Sequence, residues 1–252
     1  MERVVEDEWL DDDLRTPEEI DSALRAISLV NRRFGGVRLH ARLLRQALAR
    51  VPGETQPRIL PRILEVASGH ADVLQAALRR LAIAGTLMPE ITLLDRTRHH
   101  LPDPHLWPAE LSPPRAVVGD ALDLPFPDAS MDIVSCCLFV HHLEPPQVAR
   151  YLAEARRVAR VAVVINDLER SGLHYQLAKL NRFIDPSPIS RHDGPVSVRR
   201  AYTRSELARM LADTGLSFDL ERAWLCRLGA VLWCGESGAA SHSLESHGIH
   251  VI

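Results

Sequence analysis

Acidic residues stand at the ends of three apolar runs in this sequence. Glu65 lies in the first run (ILEVA), Asp95 closes the second (ITLLD), and Asp120 closes the third (AVVGD). Ligands of open α/β sheets bind beyond the carboxyl ends of the strands, so we expect the three carboxylates to line one crevice. Three acids on one rim indicate a polar, partly cationic ligand.

The first run continues into a loop of small residues, Ala67-Ser68-Gly69, and then into a helical pattern. Such a loop lets a ligand approach the backbone and meet the N–H groups of a helix N-terminus. The fingerprint of dinucleotide-binding folds has three glycines at fixed places, and this loop offers only Gly69. A nucleotide-like site is predicted, but the loop alone fits several cofactors.

The elements that must position these groups alternate along the chain. From Arg62 onwards, five short apolar runs are separated by helical stretches, which predicts a parallel sheet with helices on both faces. Two further runs, 217–225 and 228–234, are joined by a short turn and predict an antiparallel hairpin at the sheet edge. We therefore predict an α/β fold with a Rossmann-like, seven-stranded, mostly parallel sheet.

An N-terminal helical cap is predicted before the sheet. A capping box at Thr16–Glu19 opens one amphipathic helix, and a second amphipathic run covers Leu39–Ala49. We divide the chain into a helical cap or lid (1–55), a main domain (56–234) with an insertion at 168–202 that covers the substrate, and a flexible tail (235–252).

Composition excludes several classes of partner. The net charge of −3 and the intermixed charges provide no basic field for nucleic acid or an anionic membrane surface. No segment resembles a membrane span, and the acidic N-terminus differs from a signal peptide, so a cytoplasmic location is expected. The four cysteines show no CxxC spacing, and we predict no disulfide and no metal site. The oligomeric state stays open.

Four segments together resemble the class I S-adenosylmethionine-dependent methyltransferases, in particular the branch of ubiquinone and menaquinone methyltransferases. The segments are EVASGHAD (65–72), LLD (93–95), GDALDLPFPDASMDIV (119–134) and CCLFVHHLEPP (136–146). The resemblance runs from about Arg62 to Asp167 and, more loosely, through the terminal hairpin. It implies S-adenosyl-L-methionine as the cofactor.

The resemblance also implies roles for individual residues. Asp95 would accept hydrogen bonds from the two ribose hydroxyls, and Asp120 would receive the adenine amino group beside the Ala121 N–H. Glu65 would attract the ammonium group of the methionine part. The remaining cofactor contacts implied are Ala67, Gly69, Cys137 and Leu138. The family often has glycine where this chain has Ala67 and Ala71. The added methyl groups can be accommodated if φ stays negative, so we expect a slightly altered loop and retained binding.

The acceptor side of the site is less specific. A general base is needed only if the acceptor must lose a proton, and at most one of four histidines would serve: His141, His142, His174 or His192. Substrate contacts are expected from Arg170, Tyr175 and Arg199 in the insertion. For the two arginines, a structural ion pair is an equally good interpretation.

The function predicted is methyl transfer to a small molecule, with an oxygen of a phenol- or quinol-like compound as the favoured acceptor. One alternative is an NAD(P)-dependent oxidoreductase, to which the pair Tyr175 and Lys179 would supply a Tyr-x-x-x-Lys motif. The other is a non-catalytic protein that binds S-adenosylmethionine.

Overall fold

The structure is a computed structural model that describes residues 1–11, 15–52, 60–181, 187–223 and 226–235. The tail predicted to be flexible lies outside the described residues from position 236 onwards, as do residues 182–186 of the insertion. In the part of the chain that is described, no helix is both long and apolar enough to cross a membrane.

Seven strands form one sheet in the order β3-β2-β1-β4-β5-β7-β6. They are β1 (Arg62–Val66), β2 (Glu90–Asp95), β3 (Arg115–Val118), β4 (Met131–Cys137), β5 (Ala159–Leu168), β6 (Phe218–Ala223) and β7 (Arg227–Trp233). Strands β1 to β5 pair in parallel, whereas β7 runs antiparallel to both β5 and β6. The predicted fold class and its C-terminal hairpin are confirmed.

Helices cover both faces of the sheet. They are α1 (Pro17–Arg33), α2 (Gly36–Leu48), α3 (Asp72–Ile83), α4 (Pro145–Val158), α5 (Gly172–Asn181), α6 (Pro188–Arg200) and α7 (Arg204–Ala212). Alternate strand residues point to opposite faces, so Ile63 packs in a core with α2 and α3, while Leu64 packs in a second core with α4 and α7. The strand order reverses between β1 and β4, which is where such sheets bind ligands.

Helix α2 is fitted closely to the sheet. It begins at Gly36, earlier than predicted, because Gly35 takes a φ of 85° as its N-cap. Leu39 and Leu43 of this helix lie against Gly229 of β7, where an added Cβ would meet Leu39 Cδ1 at 2.7 Å. The second helix of the predicted cap thus shares the core of the sheet.

The N-terminal residues run along the insertion. Val4 N–H donates to Arg199 O at the end of α6 (3.2 Å), and Arg3 donates from Nε to Arg200 O (2.7 Å). The side chain of Arg3 also pairs with Glu144 at the start of α4 (3.0 Å). Residues 1–11, which we call the N-terminal strap, are therefore held over the end of the sheet where β4 and β5 finish.

Candidate functional site

The loop after β1 is wound by alternate residues with a left-handed backbone. The φ angles are 52° at Ala67, 49° at Gly69 and 56° at Ala71. The expectation of a negative φ at both alanines is wrong, because the loop turns back on itself and Ala71 N–H donates to Ser68 O (2.8 Å). This conformation is unfavourable by about 1–2 kcal/mol for a residue with a Cβ. The backbone of the loop is therefore strained at Ala67 and Ala71.

Asp95 ends β2 beside this loop and is buried. Its Oδ2 accepts a hydrogen bond from Gly69 N–H (2.9 Å), and its Oδ1 accepts one from Thr97 N–H (3.1 Å). Burial would raise the pKa of this carboxyl, but hydrogen bonds from His100 and the two backbone N–H groups outweigh it and lower the pKa. Asp95 is thus a fixed carboxylate with a lone pair on Oδ2 left for a ligand.

Glu65 is buried on β1 among polar side chains from two other elements. The hydroxyl of Ser135 on β4 donates to Glu65 Oε2, and His40 Nε2 on α2 lies 3.6 Å from the same oxygen. His40 is fully buried, and neither of its ring nitrogens has a hydrogen-bond partner among the described residues. Buried polar atoms normally have partners, so the unpartnered imidazole beside this carboxylate is an exceptional feature of the buried side of β1.

The third acidic residue follows β3 at a short distance. The strand ends at Val118, and Gly119 N–H donates to Asp95 O (3.0 Å), so the end of β3 lies beside Asp95. Asp120 is exposed, and its Oδ1 accepts a hydrogen bond from Leu122 N–H (2.8 Å), which forms a tight turn around Ala121. The structure therefore places the three predicted carboxylates at one edge of the sheet, as their positions in the sequence indicate.

The end of β4 carries the last predicted cofactor contacts. Cys137 is the final residue of the strand, and Leu138 follows it with a φ of 58°. Leu138 N–H donates to Asn166 O on β5 (2.9 Å), which fixes this strained turn. Unusual backbone of this kind clusters at ligand sites, and here it lies next to the switch point between β1 and β4.

Two of the candidate histidines follow directly in a short 3-10 turn, Val140–His142. His141 Nδ1 lies 2.6 Å from Asp167 Oδ1 on β5, and His141 N–H donates to Asp167 Oδ2 (3.1 Å). Burial would raise the pKa of Asp167, but the contacts with His141 outweigh it and lower the pKa. The imidazole is therefore held in one orientation by a buried carboxylate.

The N-terminal strap adds a second carboxylate to these histidines. Glu8 is buried, with Oε1 3.7 Å from His141 Nε2 and Oε2 3.9 Å from His142 Nε2. Ser197 on α6 donates its hydroxyl to Glu8 Oε1 (2.9 Å). One ligand-type atom from each of Glu8, His141 and His142 lies within 4.8 Å of the others.

The remaining two candidate histidines have different surroundings. His174 Nδ1 lies 2.9 Å from Glu169 O, and burial lowers the pKa of its ring. His192 Nδ1 lies 2.8 Å from Asp193 Oδ1, and its ring stacks on Trp9 at a centroid distance of 4.0 Å. His192 thus helps to hold the strap.

The predicted substrate residues of the insertion are engaged within the fold. Arg170 donates to Ala201 O and to Glu206 Oε1, both at 2.6 Å, and Arg199 pairs with Glu6 at 2.8 Å. These contacts favour the interpretation of the two arginines as structural ion pairs. Tyr175 is half-buried on α5, with Lys179 Nζ 5.4 Å from the centre of its ring.

Sequence reasoning missed three polar side chains that the structure brings to the site: Glu8, His40 and Asp167. Asp167 had a usable signal, because it ends the apolar run VAVVIND as Asp95 ends ITLLD. Glu8 and His40 had none, since each reaches the site from an N-terminal element whose position is set by tertiary packing.

A family model described as "Methyltransferase domain" matches residues 64–164. This range extends from β1 to β5 and contains Asp95, Asp120 and both histidines of the short turn. No curated protein matches the chain.

Several solved structures share the fold. The complex of the Haloferax volcanii Trm112 methyltransferase activator with a methyltransferase is 16% identical, with a TM-score of 0.56 over 89% of this chain and 100% of that chain. The plantazolicin methyltransferase BpumL, in complex with a monoazolic desmethylPZN analog and SAH, is 12% identical, with a TM-score of 0.58 over 85% and 95%. An O-methyltransferase family 2 protein from Planctomyces limnophilus, in complex with apigenin, is 18% identical, with a TM-score of 0.55 over 88% and 63%.

The strand order and the strand-end carboxylates define the class I methyltransferase fold. The family model adds that residues 64–164 of the chain match a methyltransferase domain. The assignment of the chain to the ubiquinone and menaquinone branch stays a prediction.

Proposed function

We propose that this methyltransferase transfers the methyl group of S-adenosyl-L-methionine to an oxygen atom of a small phenol- or quinol-like molecule. The observation that carries the cofactor half of the proposal is the hydrogen bond from Gly69 N–H to Asp95 Oδ2 (2.9 Å). It joins the loop after β1 to a buried carboxylate at the end of β2, which is a preformed receptor for a ribose with two adjacent hydroxyls.

The other cofactor contacts follow from the same edge of the sheet. Asp120 and the Ala121 N–H would receive the adenine ring, since they follow β3 beside Asp95. Glu65 lies below Ala67 and Gly69, and its buried carboxylate suits the ammonium group of the methionine part. Cys137 and Leu138 at the end of β4 would then flank the sulfonium.

The acceptor would bind between this edge and the insertion. His141 and His142 follow β4 directly, so we place them at the acceptor end, and Tyr175 on α5 is half-buried in the neighbouring insertion. Two proteins with the same fold support a small acceptor: one is named an O-methyltransferase and binds apigenin, and the other binds an analog of its own substrate with SAH. The net charge of −3 favours such a molecule over nucleic acid.

The reaction chiefly requires the acceptor oxygen to be aligned with the S–CH₃ bond. The acceptor oxygen forms a bond to the methyl carbon, and the carbon–sulfur bond breaks with its electron pair retained by sulfur. The sulfonium becomes the neutral thioether of S-adenosylhomocysteine, and the hydroxyl proton of the acceptor is released to water. Holding the oxygen in line with the S–CH₃ bond and excluding water can contribute about 7–11 kcal/mol in well-oriented systems.

Calorimetric titration with S-adenosylmethionine, S-adenosylhomocysteine and NADPH tests the cofactor half. We expect both adenosyl ligands to bind, and Asp95→Asn to weaken them about tenfold or more, because a hydrogen bond to a charged group is lost. The matched control is Glu90→Gln, at the opposite end of the same strand. Binding of NADPH alone would favour the oxidoreductase, in which Tyr175 and Lys179 would act.

The acceptor half is tested by incubating the protein and S-adenosylmethionine with phenols, quinols, amines and activated carbon acceptors. We expect a mass increase of one methyl group on the hydroxylated compounds, and the atom methylated follows from NMR of the product. Cofactor binding without methylation of any acceptor class would favour a non-catalytic binding protein, and methylation confined to amines or carbon would contradict the oxygen assignment.

A further inference from the structure

The carboxylate of Glu8 and the rings of His141 and His142 converge on one point at the end of β4. Each oxygen of Glu8 faces the Nε2 atom of one histidine, at 3.7 Å and 3.9 Å. These separations exceed the length of a hydrogen bond. Glu8 therefore lies close to both rings without a hydrogen bond of normal length to either Nε2 atom.

The ring of His141 is oriented by a second carboxylate. Its Nδ1 lies 2.6 Å from Asp167 Oδ1, on the side of the ring away from Glu8. This contact turns Nε2 of the same ring towards Glu8 Oε1, 3.7 Å away, while Nε2 of His142 lies 3.9 Å from Glu8 Oε2. Two imidazole nitrogens and one carboxylate therefore meet at the end of β4.

We propose that Glu8, His141 and His142 bind one divalent first-row transition-metal ion. Two imidazoles and one carboxylate are a donor set that suits zinc or iron(II). Bonds of about 2.0–2.2 Å would put pairs of ligand atoms roughly 3.4 Å apart in a tetrahedral site. The two separations between Glu8 and the histidine nitrogens, 3.7 Å and 3.9 Å, are longer than that value by about half an ångström or less, so a small movement of the side chains would bring them to an ion.

The groups around the three ligands fit the same function. A histidine that binds a metal usually donates its other ring N–H to a carboxylate, as His141 does to Asp167. Glu8 is also oriented by a hydroxyl, because Ser197 donates to its Oε1 (2.9 Å). The contact with Asp167 orients the ring of His141, and the contact with Ser197 orients the carboxylate of Glu8. Both ligands are therefore oriented before an ion binds.

The strap that delivers Glu8 is anchored on both sides of it. Trp9 N–H and Leu10 N–H donate to the two oxygens of Asp193, each at 2.9 Å, and the ring of Trp9 stacks on His192. On the other side, Arg3 donates to Leu143 O (3.0 Å), directly after the two histidines. The strap thus brings an N-terminal carboxylate to the chain segment that carries both imidazoles.

Three protein ligands leave at least one position of such an ion open. If the proposed function holds, that position faces the acceptor end, where the ion would take the acceptor oxygen as a ligand and favour its ionised form. The metal site itself does not depend on this role, and it is tested by binding alone.

The experiment uses the full chain, freed of metal by a chelator and carrying no affinity tag. His242, His247 and His250 beyond the described residues are replaced by asparagine, because they would compete for the ion. Zn²⁺ is titrated in competition with a chromophoric chelator, and Co²⁺ is followed by its visible absorption. We expect one ion per chain and a cobalt spectrum with nitrogen ligands.

Variants assign the ligands. We expect Glu8→Gln and His142→Asn each to weaken Zn²⁺ binding about tenfold or more, and Asp167→Asn about 10–100-fold. Glu6→Gln, on the same strap but exposed, is the matched control and should bind as the parent does. Melting temperatures without metal show whether each variant is folded.

The failure of this inference is distinguishable from failure of the proposed function. Absence of stoichiometric binding, or equal binding by the parent, Glu8→Gln and His142→Asn, overturns the metal site. S-adenosylmethionine is titrated into the same metal-free samples. Cofactor binding without metal binding overturns only the metal site, and metal binding without cofactor binding contradicts only the proposed function.

Discussion

Gly69 N–H lies 2.9 Å from Asp95 Oδ2, so the loop after β1 is fastened to the end of β2. One residue earlier, Ser68 N–H donates to Leu94 O (3.1 Å) and continues the pairing of the two strands into the loop. Both contacts join groups of the chain itself. The floor of the proposed cofactor site is therefore preorganised, which lowers the entropic cost of binding.

The lowered pKa of Asp95 predicts how binding depends on pH. A carboxyl whose pKa falls below its ordinary value of 3.8 stays ionised above that value and loses its charge only as the pH falls through the lowered pKa. We expect the affinity for methylthioadenosine, which carries the ribose but no amino-acid part, to stay constant from about pH 8 to about pH 5.

Calorimetry of the parent protein across this range measures the effect. His100→Gln removes the imidazole that lies 3.4 Å from Asp95 Oδ1, so the affinity of this variant should begin to fall at a higher pH than that of the parent. If the affinity of the parent falls with a midpoint above about pH 5, the pKa of Asp95 is raised and the structural argument is wrong.

The strained alanines of the loop predict an unusual gain in stability. We expect Ala67→Gly and Ala71→Gly each to raise the free energy of unfolding by about 0.5–1 kcal/mol. Glycine removes about 1–2 kcal/mol of strain from the left-handed backbone of the folded protein. It also raises the conformational entropy of the unfolded chain, which offsets part of this gain.

Urea unfolding measures the effect of both substitutions. The matched control is Ala82→Gly, at an exposed position of α3, which should lose about 1 kcal/mol. If all three glycine substitutions lower the free energy of unfolding, the backbone at Ala67 and Ala71 is not strained and the prediction is wrong.

Much of the fold could be predicted from local patterns. Alternating apolar runs predicted the strands, and a capping box predicted the start of α1, because both signals come from residues close in sequence. The carboxylates Asp95 and Asp120 could be found for the same reason, since each follows its own strand.

The rest depends on contacts between distant segments. Asp167 holds His141 only because β5 lies beside β4, and Glu8 reaches both histidines only because the strap crosses α6. The positive φ of Ala67 was unpredictable for a related reason, because the hydrogen bond from Gly69 to Asp95 imposes the turn against the local preference of alanine.

The close approach of α2 to β7 predicts a large effect of a single methyl group. An added Cβ at Gly229 would lie 2.7 Å from Leu39 Cδ1 and 3.0 Å from Leu43 Cδ1. We expect Gly229→Ala to lower the free energy of unfolding by about 1–3 kcal/mol, as overpacking of a core does.

Thermal and urea unfolding report this loss, and Gly172→Ala is the control. No atom lies within 4 Å of a Cβ added at Gly172, at the start of α5, so this variant should be at least as stable as the parent. Equal stability of the Gly229→Ala variant and the parent would mean that α2 shifts without cost, as a mobile cap would.

Substitutions of Glu65 and Asp95 should affect the binding of two adenosyl ligands differently. S-adenosylmethionine carries an ammonium group that methylthioadenosine lacks, and both carry the ribose. We expect Glu65→Gln to weaken S-adenosylmethionine about tenfold or more, because a buried charged contact is lost, and to leave methylthioadenosine within about twofold. Asp95→Asn should weaken both ligands alike.

Calorimetric titration of both ligands into each variant separates a direct contact from an effect on the fold. Glu65 also accepts a hydrogen bond from Ser135 and lies 3.6 Å from His40, so its replacement can disturb the loop above it. Such a disturbance would weaken both ligands to the same degree, because both cross the loop. Only a loss confined to S-adenosylmethionine supports Glu65 as the partner of the ammonium group.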